Sequence, residues 1–118
     1  MRGARVSVPG KQMSLEDLRQ RIDTLDEQLV ELLIERANCA SAIGELKRAL
    51  GLEIYQPERE AEVLEHVRSI GARRGGPLGP DAIARLFERI IDEARRIERE
   101  KARKHGYSDS RDRASEQA

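Results

Sequence analysis

The chain has 118 residues, about one domain's worth, and its 22 Lys+Arg balance 22 Asp+Glu to a formal net charge of zero. That balance argues against nucleic acid as the main partner, since such proteins carry a basic excess. Charged residues make up 37% of the chain and aromatics 3%, with no Trp, so the expected core is aliphatic and the expected class all-α.

Residues 1–13 are polar, with Gly3, Pro9 and Gly10, and read as a flexible N-terminal tail. The first twelve residues lack the apolar core of a secretory signal. No apolar run approaches the ~20 residues that cross a bilayer, so no membrane role is expected. The single cysteine, Cys39, rules out an internal disulfide and fits a reducing, cytoplasmic location. Close to an apolar helical face, Cys39 reads as a plain packed thiol.

Residues 14–50 set the organisation of the chain. Leu15, Leu18, Ile22, Leu25, Leu29, Leu32, Leu33, Ala40, Ile43 and Leu50 recur in steps of three and four, the period of one helical face. The spacing predicts a single helix of ~50 Å. Ser14 suits its N-cap, Glu16 and Asp17 suit its first turn, and Gly51 suits its stop. Gly44 lies inside it at a cost of roughly 1 kcal/mol against Ala, explained either by a close approach of a ligand or backbone or by simple tolerance.

Pro57 suits the first position of a second helix whose face is Val63, Leu64, Val67 and Ile70, with Gly71 as its end. A Gly-rich loop, residues 72–79, follows and lacks the spacing of a phosphate-binding loop. Pro80 can open a third helix with a face of Ile83, Leu86, Phe87, Ile90, Ile91, Ala94 and Ile97. Residues 14–103 thus form one domain, and residues 104–118 read as a disordered C-terminal tail. Three helices of such unequal length leave part of the first stripe uncovered. Partner helices are therefore expected, most simply from a second copy of the chain.

Charges intrude on these apolar faces. Arg36 and Lys47 occupy stripe positions of the first helix, and at eleven residues' separation they point within about 20° of each other. Two unpaired buried charges would each cost several kcal/mol, so that face is either wet or met by something anionic. Glu60 starts the face of the second helix, Glu98 lies on or beside that of the third, and Arg19 and Arg59 sit at face edges. Singly, each reads as a solvated or ion-paired helix residue. Jointly they place charge on the core side of all three helices.

The order of residues brings a resemblance. Leu18, Arg19, Ile22, Asp23, Leu25, Asp26, Leu29, Leu32, Leu33, Glu35 and Arg36 resemble the opening helix of the all-helical (AroQ-class) chorismate mutases. The similarity continues through Ile43-Gly44-Glu45-Leu46-Lys47 and Ile54-Tyr55-Gln56-Pro57-Glu58-Arg59-Glu60. It ends with Arg85-Leu86-Phe87 and Ile90-Ile91, so it covers about residues 14–102.

The resemblance implies an intertwined homodimeric bundle of three helices per chain, with active sites shared between chains. It implies the Claisen rearrangement of chorismate to prephenate in Phe and Tyr biosynthesis, with no cofactor and no metal. Arg19, from the partner chain, and Arg36 would bind carboxylates. Lys47 would contact the ether oxygen and a carboxylate, Arg59 would bind substrate, and Glu60 would take the substrate hydroxyl. Glu98 would stand beside the ether oxygen. Lys47, Glu98 and Arg36 are the catalytic candidates. Gln56 stands where Asp is usual and Ala94 where some members have Ser, so both are substrate contacts expected to alter affinity, not chemistry. Arg19 and Lys47 are 28 residues apart, ~42 Å along a straight helix, so a small substrate touching both requires two chains.

These four cations against two carboxylates leave an excess of two positive charges, which suits a dianion. An isochorismate-pyruvate lyase of the same fold is the nearest rival, although the stretch after Lys47 looks more like the mutase form. A non-catalytic helical dimerisation or regulatory module is the second, and a weak mutase activated by a partner enzyme of the same pathway lies between them.

Overall fold

The computed structural model describes residues 5–8 and 11–104, with side chains described from residue 12 onward. Three helices carry the architecture: α1 (Leu15–Leu50), α2 (Pro57–Arg74) and α3 (Gly79–Lys104). The expected all-α class holds for this body of the chain. Ahead of it, β1 (Arg5–Val8) and β2 (Lys11–Ser14) pair antiparallel, with Arg5 opposite Ser14 and Val8 opposite Lys11. Both strands fall largely within the segment read from the sequence as a flexible N-terminal tail. The C-terminal tail expected at residues 104–118 lies, beyond Lys104, outside the described residues.

Helix α1 starts where Ser14 closes a reciprocal cap. The Asp17 N–H donates to Ser14 Oγ at 3.2 Å, and the Ser14 N–H donates to Asp17 Oδ2 at 3.1 Å. Two N–H groups that the helix cannot satisfy internally are thereby satisfied by short side chains. At the other end, Gly51 has φ 71, its N–H donates to the Arg48 carbonyl and the Leu52 N–H donates to the Lys47 carbonyl. That pair of bonds is the Schellman stop that a glycine after the last helical turn makes possible.

The chain divides into two compact units, with the boundary inside α1 between Asn38 and Cys39. In the first unit, no described residue from 12 to 38 is buried. Ile22, Leu25, Leu29, Leu32 and Leu33 are between 39% and 60% exposed, although they form the continuous apolar stripe of α1. Cys39, expected to be packed, is exposed. It belongs to the stretch of α1 that also leaves Leu33 and Ile43 exposed.

The second unit has a core. Helices α2 and α3 pack on each other, burying Val67 and Gly71 of the former with Ala84 and Ile91 of the latter. Ile54 of the connector and Ala102 near the end of α3 are also buried. Gly71 does not end α2, contrary to the pattern's expectation. The helix continues to Arg74 and stops at Gly75, whose φ is 70 and whose N–H donates to the Gly71 carbonyl at 3.1 Å. Gly71 is a contact point instead. A Cβ there would stand 2.8 Å from Ile83 Cδ1 and 3.1 Å from the backbone Cα of Pro80. The close crossing of α3's first turn, not a helix end, requires this glycine. Among the described residues, no helix is long and apolar enough to cross a membrane.

Candidate active site

Lys47, Glu98, Lys101 and Glu45 meet in the C-terminal part of α1. Lys47 lies in the last turn of that helix, where its charge also favours the negative end of the dipole. Its Nζ donates to the Ile54 carbonyl at 2.8 Å and stands 3.9 Å from Glu98 Oε2 of α3. Only 14% of the Lys47 side chain and 11% of the Glu98 side chain are exposed. Of the three donors on this ammonium, one goes to a backbone carbonyl and the charge faces a carboxylate.

Gly44, one turn before Lys47, explains how Glu98 comes so near. A Cβ at this position would stand 3.3 Å from Glu98 Cγ and 3.6 Å from Arg48 Nη1. The close approach that could justify a glycine inside α1 is therefore a carboxylate side chain. Arg48 Nη1 is buried and has no hydrogen-bond partner among the described residues. Lys101 adds a second tie between the same two helices, donating to Ser41 Oγ and standing 3.5 Å from Glu45 Oε1.

Glu60 opens α2 and faces α3. Arg95 Nε donates to Glu60 Oε2 at 2.8 Å, and Arg95 Nη2 donates to Glu60 Oε1. This is a two-pronged guanidinium–carboxylate pair, the geometry that Arg forms best. The Glu60 hydrogen bond, reinforced by the charge of Glu60 and of Asp92, raises the Arg95 pKa above its usual value, and burial opposes this. Arg59 turns away to Glu62, at 3.2 Å on an exposed surface. The neighbouring Arg59 and Glu60 thus have separate partners.

Gln56 occupies the N-cap position of α2, where its carbonyl accepts the Arg59 and Glu60 N–H groups at 3.2 and 3.3 Å. Its side chain makes no capping bond. An Asp here would cap the helix, so the departure removes a local stabiliser as well as a carboxylate. Ala94 is half-buried on α3, one turn before Glu98, and offers no polar atom. Arg19, exposed, and Arg36, half-buried, lie on α1 within the first unit. Sequence reasoning missed Arg95. The signal was available, because Arg95 follows the buried Ile91 by four residues and so carries charge onto the same face.

The helices of this all-α domain set lysine and arginine beside carboxylates where they meet. The class can be named more closely. Residues 18–99 match the family described as chorismate mutase type II, and the chain belongs to that family. It is 42% identical over 92 residues to the bifunctional chorismate mutase/prephenate dehydratase of Pseudomonas aeruginosa, covering 74% of this chain and 24% of that protein. It is 34% identical over 56 residues to the chorismate mutase of Methanocaldococcus jannaschii, covering 48% of this chain and 57% of that one. A solved chorismate mutase structure from Thermus thermophilus superposes with a TM-score of 0.65 at 32% identity, covering 71% of this chain and 92% of that chain. The chain spans about a quarter of the length of the bifunctional relative.

Proposed function

We propose that this protein is a chorismate mutase, an isomerase converting chorismate to prephenate on the route to Phe and Tyr. It works as a cytoplasmic homodimer whose two active sites are each shared between chains. The observation that carries the reading is Lys47 beside Glu98 at 3.9 Å, both largely enclosed, in a chain whose residues 18–99 match the chorismate mutase family. The apolar stripe left exposed on α1 supports the dimer, because a second copy is the simplest cover for such a face.

The rearrangement is unimolecular. One ether C–O bond breaks while one C–C bond forms, and no atom enters or leaves. The protein's task is to hold the flexible dianion with its two reacting ends together and to stabilise charge on the separating oxygen. Orientation can supply up to ~7–11 kcal/mol in favourable systems. By the family resemblance, Arg19 of one chain and Arg36 of the other hold the carboxylates, and Arg59, which pairs with Glu62 on the exposed surface here, must swing from that partner to bind substrate. Lys47 donates to the ether oxygen where negative charge grows, and Glu60 accepts from the ring hydroxyl. Glu98 reaches the same ether oxygen and is productive as a carboxylic acid, which donates; as a carboxylate it would repel the developing charge.

The first test is purified protein with chorismate, followed by loss of chorismate absorbance and appearance of prephenate. Consumption of isochorismate with release of pyruvate would instead identify a lyase, and inertness toward both would identify a helical module without catalysis. A second test concerns Glu98. With chorismate as substrate, kcat/KM is expected to fall as pH rises through the titration of Glu98. Glu98→Gln, which donates at every pH, is expected to flatten that profile. A wild-type profile that rises with pH, and still rises in Glu98→Gln, would remove Glu98 from this role.

A further inference from the structure

The proposed contact between Glu60 and the ring hydroxyl leaves open how a carboxylate at a helix start is kept aimed. Every nitrogen of the Arg95 guanidinium has an assigned partner. Nε and Nη2 hold the two oxygens of Glu60, and Nη1 donates to Asp92 Oδ1 at 3.0 Å. The guanidinium carbon lies 5.7 Å from the centroid of the Tyr55 ring, within reach of a cation–π contact. One side chain of α3 therefore joins the connector through Tyr55, α2 through Glu60, and its own helix through Asp92.

Two of these contacts brace Arg95 and the third is delivered to Glu60. A guanidinium fork accepts a carboxylate in one plane, so fixing the fork fixes the carboxylate plane. The fork uses one lone pair on each Glu60 oxygen. Each oxygen keeps a second lone pair, so Glu60 remains able to accept a hydroxyl proton. The Glu60 side chain is 21% exposed and the Arg95 side chain 32%, leaving an open side for substrate. Holding α2 to α3 does not depend on this pair, because Val67, Gly71, Ala84 and Ile91 already pack the two helices together.

We infer that Arg95 is a positioning residue for the substrate's ring hydroxyl, acting through Glu60. This rests on the mutase reading. Arg95 does not touch the substrate. It holds the Glu60 carboxylate in one plane against the incoming hydroxyl, with Tyr55 and Asp92 keeping its own head still.

The test is steady-state kinetics on chorismate with the full chain as wild type, Arg95→Gln, Arg95→Lys, Glu60→Gln and the double variant Arg95→Gln/Glu60→Gln. Arg95→Gln is expected to lower kcat/KM by ~10–100-fold, with a rise in KM, while far-ultraviolet circular dichroism stays at the wild-type level. Arg95→Lys, which keeps the charge but not the fork, should recover part of that loss. Once Glu60 is already Gln, adding Arg95→Gln should change kcat/KM by less than about two-fold, because its action passes through a carboxylate no longer present. Should Arg95→Gln unfold, Asp92→Asn weakens the brace without removing the fork. That variant must then show a smaller loss, equally absent in the Glu60→Gln background. Losses that multiply in the double variant would overturn the inference, as would wild-type kinetics in Arg95→Gln. In either case wild-type turnover of chorismate would leave the mutase reading standing. A wild type inert toward chorismate would overturn both.

Discussion

Replacing Lys47 by Met is expected to reduce kcat/KM with chorismate by about 10²–10³-fold, the size of effect seen when one preorganised donor is taken from a developing oxyanion. Methionine keeps most of the stem's volume and removes the ammonium. The loss should fall on both KM and kcat, because in the proposed role Lys47 meets a substrate carboxylate in the ground state and the charge that grows as the C–O bond breaks. The structure adds a second effect. Lys47 Nζ also donates to the Ile54 carbonyl at 2.8 Å, and Ile54 is 5% exposed. Lys47→Met therefore leaves a partly buried carbonyl without its donor, at ~1–3 kcal/mol. Removal of a nearly enclosed charge offsets part of that cost, so the melting temperature should move by only a few degrees. Turnover within three-fold of wild type, measured with the variant folded, would take Lys47 out of the chemistry and leave it as a staple for the connector.

The second large effect depends on sharing between chains. Arg19→Ala and Lys47→Ala should each be nearly inactive as homodimers. Unfolded together and refolded in equal amounts, they should recover about a quarter of the wild-type rate. Random pairing makes half the dimers mixed, and each mixed dimer has one of its two sites free of both substitutions. Recovery should track the fraction of mixed dimer measured by tagging one chain. A mixed dimer as inactive as its parents would show that Arg19 and Lys47 serve the same chain's site, or no common site.

The helical parts of this chain are readable where local chemistry and tertiary need agree. Ser14 with Asp17, the three–four spacing through Leu50 and the glycine at 51 all specify one helix, and α1 runs from Leu15 to Leu50. Gly71 was misread because a glycine after a run of apolar residues looks the same whether it ends a helix or makes room for a neighbour. Only the position of Pro80 and Ile83 separates the two cases. The ribbon of β1 and β2 escaped because strands of four residues carry too little alternation to stand out in a polar segment. Lys47, Glu60 and Glu98 were legible as charges set against apolar faces. Arg95 obeyed the same rule but sits beside Arg96, whose bonds to Glu93 and Glu100 make an ordinary solvated network, and the pair looked like surface. What sets Arg95 apart is Glu60, a partner on α2 that no periodicity along α3 can report.

Gly44 has an evolutionary implication. The hydrogen atom that stands for its side chain leaves room for the three-carbon acid side chain of the third helix to lie against the first, 3.3 Å from where a methyl would be. Positions 44 and 98 are therefore not free to drift separately. A lineage that replaced the glycine by alanine would be driven toward a shorter acid opposite it, and the carboxyl would retreat from Lys47 by one methylene. Helix propensity would improve along that path while Lys47 lost its carboxylate neighbour. The pair should vary together among descendants that keep the reaction, and come apart in those that have given it up.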